Sequence, residues 1–217
     1  MELTKNKTTY IHYYHLKLSI IINAGIIVLR VLFTMKPDYL FLIWNLFLAG
    51  IPFLLSSFIL KRQIKEKWKL IPLVILIVLF LPNSPYIITD FSHLLNTETH
   101  VFWFDIILIM LSAMNGLLFF LFTLHNLNKI FRLHLSKEKT AKVLFILLPL
   151  SAYGVFIGRF LRWNSWDIFI HPWAIIKDCV QTFNFFSLAF TVCMTVFLFV
   201  FYSFLNINTN RYMVSQK

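Results

Sequence analysis

Cysteine is scarce in this chain. Only Cys179 and Cys193 occur in 217 residues, with no Cys-x-x-Cys spacing, so neither a disulfide framework nor a thiolate metal site is expected. Acidic residues are few as well, nine against twenty Lys and Arg, and charged residues of both signs make up only 13% of the chain. A water-soluble domain carries about twice that share, which excludes a soluble globular protein. No His-Glu-x-x-His run and no glycine-flanked serine occurs, so the common signatures of zinc and serine hydrolases are missing. The two halves share neither the Pro-Asn-Ser-Pro turn nor the Trp-Asn-Ser-Trp run, which weighs against a transporter built from duplicated halves.

What the chain has in abundance is apolar sequence: 59% hydrophobic residues, 18% aromatic, and a mean hydropathy of +0.76. A hydrocarbon core about 30 Å thick takes roughly 20 apolar residues per helical crossing. The chain holds about six such runs, and we place the crossings at Leu16 to Phe33, Tyr39 to Leu60, Leu70 to Leu81, Phe102 to Leu124, Val143 to Leu161 and Thr182 to Leu205. The expected fold is all-α, a polytopic helical membrane bundle forming a single integral membrane domain over residues 1–217. The first run is too long for a signal-peptide core and lacks a small-residue cleavage pattern, so it is read as a retained helix.

The formal charge of +11 would suggest nucleic acid as a partner in a soluble protein, but here the positive residues sit in short connectors between apolar runs. No nucleic-acid partner is expected, because no aromatic-interleaved basic surface is present. After the second crossing, Lys61, Arg62, Lys65, Lys67 and Lys69 oppose a single Glu66. After the fourth, Lys129, Arg132, Lys137, Lys139 and Lys142 oppose Glu138. The stretch from Ser84 to His100 has no Lys or Arg and carries Asp90 and Glu98. The positive-inside rule then predicts a multi-pass protein of the cell membrane with both termini and both basic loops cytoplasmic. Arg159 and Arg162, on the outer side, oppose that bias.

The third crossing is short. Leu70 to Leu81 makes only about 18 Å of helix before Pro82. Pro82 and Pro85 remove two backbone donors and disfavour helical angles at Leu81 and Ser84, so the third helix is predicted to be proline-broken, with a kink or unwound turn over Pro82 to Tyr86. Irregular backbone at membrane depth persists only against protein or a watery cavity. The alternative is an ordinary proline kink with the helix continuing to Ile88.

Small residues at packing spacing, Ser112-x-x-x-Gly116 and Gly154-x-x-x-Gly158, mark close helix approach on the fourth and fifth crossings. Asp105 lies within roughly 20° of the first stripe and Arg162 about 40° from Gly158. Docking the two stripes together predicts an Asp105–Arg162 pair. Asp90 and His93, spaced i, i+3, point the same way on a helix. Asp90, His93 and Asp105 are the candidate catalytic groups, and with Asp167 and His171 they are the residues that would have to converge for a metal site. A hydrogen-bonded polar rim is the default, and no metal or cofactor is expected. Asn83, Tyr86, Arg159, Arg162, Trp163, Asn164, Trp166 and Asp167 are the candidate ligand-binding residues, since guanidinium takes phosphate in a bidentate fork and tryptophan suits the membrane interface. Trp103, Trp163, Trp166 and Trp173 belong first to the interfacial aromatic belt. Asn23, Asn45, Asn115 and Asn184 read as interhelical hydrogen-bonding residues.

The runs LPNSPYIITDF, FWFD and GRFLRWNSWDI resemble the signature segments of the bacterial multi-pass family known as domain of unknown function 1361, over about Leu70 to Asp178. The resemblance implies an uncharacterised integral protein of the bacterial cytoplasmic membrane. The family has no established activity, so it transfers no catalytic residue. Three functions follow from the residues themselves: an outward-facing polar pocket that binds a lipid headgroup or anionic envelope ligand, a membrane-embedded hydrolase or transferase using the Asp/His/Arg cluster, or a structural subunit of a membrane assembly. Membrane lipid is the expected partner.

Overall fold

The computed structural model describes the backbone of residues 2–96 and 101–214 and the side chains of residues 14–95 and 101–204, so Glu98 lies outside the described residues. Among the described residues every regular element is a helix. Six stretches are long and apolar enough to cross a membrane: Tyr14–Thr34, Phe41–Arg62, Lys67–Leu95, Phe102–Phe131, Lys137–Leu161 and Phe185–Phe204. They belong to α1 (Glu2–Thr34), α2 (Phe41–Arg62), α3 (Lys67–Phe80) with its continuation, α5 (Phe102–Phe131), α6 (Lys137–Phe156) with its continuation, and α9 (Phe185–Val214). The polytopic all-α bundle expected from hydropathy is the observed architecture.

The ends of these helices follow local chemistry. α2 stops at Gln63, left-handed at φ 51, whose N–H returns to the carbonyls of Ile59 and Leu60, while Lys61 and Arg62 complement the negative end of the helix dipole. Ser136 caps α6 by accepting from the Lys139 N–H. Asn184 and Ser187 cap α9 reciprocally: Asn184 Oδ1 accepts from the Ser187 N–H at 3.0 Å and Ser187 Oγ from the Asn184 N–H at 3.0 Å. Asn184 is therefore a cap, not the interhelical group expected of it. The connectors after α2 and α5 place the two basic loops at one end of the bundle, the basic end. The connectors after α1, the third span and the fifth span lie at the other, here called the rim end.

α5 lies at the centre, with 61% of its span buried within the protein against 17% of that of α9. Phe120, Leu124, Leu127 and Ile130 of α5 pack with Ile59, Ile77 and Leu148 in one buried cluster, and Leu108 and Ile109 pack with Ile27 and Leu42 in another.

The third span breaks at the predicted place but does not unwind. After α3, a four-residue helix α4 (Asn83–Tyr86) leads into a 3-10 helix over Ile87–Asn96. Leu81 keeps right-handed helical angles, φ −55 and ψ −38, and its N–H still reaches the Ile77 carbonyl at 2.8 Å. The expected loss of helical geometry at Leu81 and Ser84 is therefore corrected, Ser84 lying within α4. The prolines are tolerated because Pro82 precedes α4 and Pro85 falls in its first turn, where backbone donors have no intrahelical acceptor anyway.

The two small-residue stripes do not dock on each other, as the sequence suggested. They clasp this broken segment between them. A Cβ on Gly116 would fall 2.3 Å from the Ser84 carbonyl oxygen, and one on Gly154 would fall 2.4 Å from the Pro82 ring. Ser84 lies between α2 and α5, its hydroxyl donating to the Ala49 carbonyl at 2.8 Å. The glycines admit a proline-rich turn whose backbone could not otherwise reach the bundle interior.

Candidate functional site

At the rim end α6 widens into a single π-helical turn, Ile157–Leu161, a form found at irregular and functional points in helices. That turn presents Arg159 to the 3-10 helix. Its Nη1 donates to Asp90 Oδ1 at 3.3 Å and its Nη2 donates to the Ser92 hydroxyl. Asp90 is 1% exposed, and its second oxygen accepts from Asn45 Nδ2 of α2 at 2.9 Å. A buried carboxylate is stable only when paired and hydrogen-bonded, and Asp90 has both kinds of partner. His93 Nε2 lies 3.9 Å from Asp90 Oδ1, on the same face as the i, i+3 spacing requires, with its ring 4.6 Å from that of Phe41. The His93 side chain is half-exposed.

A second contact joins the same two runs. Asn83 Nδ2 donates to the Ser165 hydroxyl at 3.0 Å, and Gly158 faces the Tyr86 ring, where an added Cβ would come within 3.3 Å. The Pro-Asn-Ser-Pro segment and the Arg-Trp-Asn-Ser-Trp segment thus lie against each other at one end of the bundle. Arg162 ends the π turn in the left-handed region, φ 60, a conformation that usually falls to glycine at a helix C-terminus, and its side chain is exposed. Trp163 Nε1 donates to Asp178 Oδ2 at 2.9 Å. Asp167 accepts from both the backbone N–H and the side-chain amide of Asn164, at 2.7 and 3.1 Å, closing the loop on itself. Trp166 sits edge-on to Trp44, 6.4 Å between ring centroids.

Asp105 is not part of this cluster, and its expected pair with Arg162 does not form. Arg30 of α1 takes the carboxylate with two donors, Nε to Oδ1 at 2.7 Å and Nη2 to Oδ2 at 3.0 Å, and Asp105 is fully buried. Arg30 also donates to Thr34 Oγ1 and lies 5.2 Å from the Tyr39 ring centroid. The pair is one rung of a polar ladder along the antiparallel seam of α1 and α5. Asn23 Nδ2 donates to Ser112 Oγ at 3.0 Å, and Ser19 Oγ to Asn115 Oδ1 at 2.7 Å. Saturated by Arg30, Asp105 has a structural part in holding α1. Ser112, read as a packing residue, serves this seam. Among the described residues no three His, Cys, Asp or Glu side chains gather into a metal site.

Residues 44–201 match the family described as Protein of unknown function (DUF1361). The chain belongs to this family. The DUF1361 match runs beyond the Leu70 to Asp178 region that suggested it, taking in most of α2 and most of the span of α9. Asn45, Asp90, His93, Arg159 and the Trp-Asn-Ser-Trp loop all lie inside it, whereas α1 and the Arg30 side of the ladder lie outside. Comparison with curated proteins and with solved structures finds no match.

Sequence reasoning missed Asn45, Ser92, Ser165 and Asp178 as partners of the rim. Asn45 is the interhelical hydrogen-bonding residue expected of it, though nothing in the sequence pointed to Asp90 as its partner, and the other three are too ordinary in type to stand out. For Arg30 a signal did exist: polar positions 19, 23 and 30 of α1 advance by four and seven while 115, 112 and 105 of α5 fall back by three and seven, spacings that keep one face of each antiparallel helix in register with the other.

Proposed function

We propose that this DUF1361 protein resides in the bacterial cytoplasmic membrane, both termini inside, and that its rim binds an anionic lipid headgroup or a phosphorylated envelope ligand on the outer face. The orientation rests on the basic loops clustering at the opposite end. The observation that supports the binding function is the placement of Arg159 and Arg162 three residues apart at the rim end of the bundle. Asp90 and Ser92 occupy only two of the N–H donors of Arg159, leaving the rest of the fork for an acceptor. Arg162, exposed on a left-handed turn beside Trp163, adds a second guanidinium. Asn83, Tyr86, Asn164, Trp166 and Asp167 shape the rim around them.

Native mass spectrometry of the detergent-extracted protein tests this. A co-purified phospholipid or phosphorylated lipid is expected on the wild type, lost in Arg162→Ala, whose side chain supports no packing. Absence of any bound lipid, or its full retention in Arg162→Ala and Arg159→Lys, would overturn the assignment.

One observation favours a second reading, a membrane-embedded hydrolase or transferase: His93 stands half-exposed beside the buried Asp90 and close to Arg159. His93 would be the general base, Asp90 its orienting carboxylate, and Arg159 the stabiliser of developing negative charge. Lipid turnover lost in His93→Gln while lipid retention persists would select it. If variants at Asp90, His93, Arg159 and Arg162 all behave as wild type, a purely structural subunit is left.

A further inference from the structure

The chain between the fifth and sixth spans contains α7 (Asp167–Ile170) and α8 (Pro172–Gln181), and neither element enters the rim's polar contacts except through Asp167 and Asp178. Five residues separate Leu161 from α7 and three separate α8 from Phe185. Both elements are thereby tethered within a few residues of the points where two spans leave the bilayer, and each linking residue reaches at most about 3.6 Å.

α8 has three faces. With about 100° per residue, Ile175, Asp178 and Cys179 share one side. Ile175 is buried, Asp178 holds the Trp163 indole, and the Cys179 carbonyl accepts from the Tyr153 hydroxyl at 3.4 Å, so this side lies on the bundle. Trp173, Ile176 and Val180 fall within roughly 60° of one another on a second side. They are exposed, Trp173 at 81% and Val180 at 71%. Lys177 and Gln181 share the third side with Ala174. Before α8, Ile168, Phe169 and Ile170 are exposed, and after it Phe183, Phe185 and Phe186 continue the apolar surface onto the exposed start of α9.

We propose that α8, with the α7 turn before it, lies in the plane of the membrane with its Trp173–Ile176–Val180 face sunk in the lipid interface, and that it holds the rim at headgroup depth. The partner is the lipid surface itself. A helix with protein on one side, apolar residues on the next and a lysine and amide on the third matches an interfacial helix, with tryptophan at the boundary. Left in water, the same residues would make a contiguous apolar patch running into a membrane span. The Trp163–Asp178 bond then transmits the depth of α8 to the residue next to Arg162. The inference is independent of whether the rim binds a headgroup.

Site-directed spin labelling in nanodiscs of phosphatidylethanolamine and phosphatidylglycerol tests it. In a Cys179→Ser, Cys193→Ser background, single nitroxides at Ile176→Cys and Val180→Cys are expected to collide several-fold more with oxygen than with a water-soluble nickel chelate. Labels at Lys177→Cys and Gln181→Cys should show the reverse. Nickel access to all four positions would put α8 in water and overturn the proposal. Loss of both reagents at 176 and 180 would mean that a protein covers this face, and would overturn it equally. A second measurement needs no label: the fluorescence component lost in Trp173→Phe should be quenched more by lipids brominated high on the acyl chain than by lipids brominated near its end. Stronger deep quenching, or none, also refutes an in-plane helix.

Discussion

Arg30 and Asp105 are two charges removed from both water and lipid, and each is stable there only because of the other. Truncating one member of such a pair leaves an uncompensated buried ion, at a cost of about 3–5 kcal/mol, whereas replacing both with apolar residues of similar volume is often neutral. Arg30→Ala should therefore lower the thermal unfolding temperature in detergent sharply, and Arg30→Met combined with Asp105→Leu should recover most of the loss. A double variant no better than the single one would mean that the ion pair itself is indispensable. Both stand in the sequence as charges near the ends of apolar runs, Arg30 toward the close of the first and Asp105 at the start of the fourth. Their partnership is not legible there, because helical angle relates positions along one helix and does not say which neighbouring helix a stripe will face. Asp90 and His93 were legible together, since i, i+3 spacing survives the change from α to 3-10 geometry. Arg159 was singled out by its charge, but the π turn that aims it depends on packing around Gly158 and Tyr86, which no local pattern encodes.

At the scale of elements, the broken third span shows why the glycines are where they are. Gly116→Ala and Gly154→Ala each drive a methyl into groups that cannot swing aside, a backbone carbonyl and a proline ring. Overpacking of this kind costs roughly 1–3 kcal/mol, so both variants should melt earlier. Gly25→Ala has nothing within 4 Å of its added Cβ and should leave stability unchanged or raise it by up to about 1 kcal/mol through helix propensity. Equal behaviour of all three in thermal denaturation would contradict the clasp. Pro82 announced the break, and a helix carried past it to Ile88 was the alternative the sequence left open; the change to a 3-10 helix that runs on to Asn96 was not legible, because a proline at a helix start costs no hydrogen bond and so marks no particular continuation. Hydropathy also under-read the length of α5. The span was expected to end at Leu124, but the helix runs on to Phe131, since Asn126, Asn128 and Lys129 leave the apolar pattern without leaving the helix.

For the whole molecule, the alternating spans put every basic connector at one end and the Asp90–Arg159 rim at the other, a separation that hydropathy and charge alone foresaw. Cysteine labelling of intact cells makes this a measurement. In a background freed of Cys179 and Cys193, Asn164→Cys should react with a membrane-impermeant maleimide and Ser136→Cys should react only after the cells are opened. The opposite result would invert the protein, and with it the side on which any ligand is met.

The clasp around Pro82 to Ile87 also constrains the order in which the protein is put together. Asp90 is synthesised 69 residues before Arg159. At about 5–20 residues per second the arginine follows its carboxylate by roughly 3 to 14 s. During that interval Asp90 has Asn45 already made but no counter-charge, and the turn behind it has no Gly154 to close over it. The third span can pack on α2 and α5 before the fifth is made, but its broken outer segment is closed over only when Gly154 and Arg159 arrive, so a nascent chain halted before α6 should hold Pro82 to Ile87 less tightly than the finished protein does.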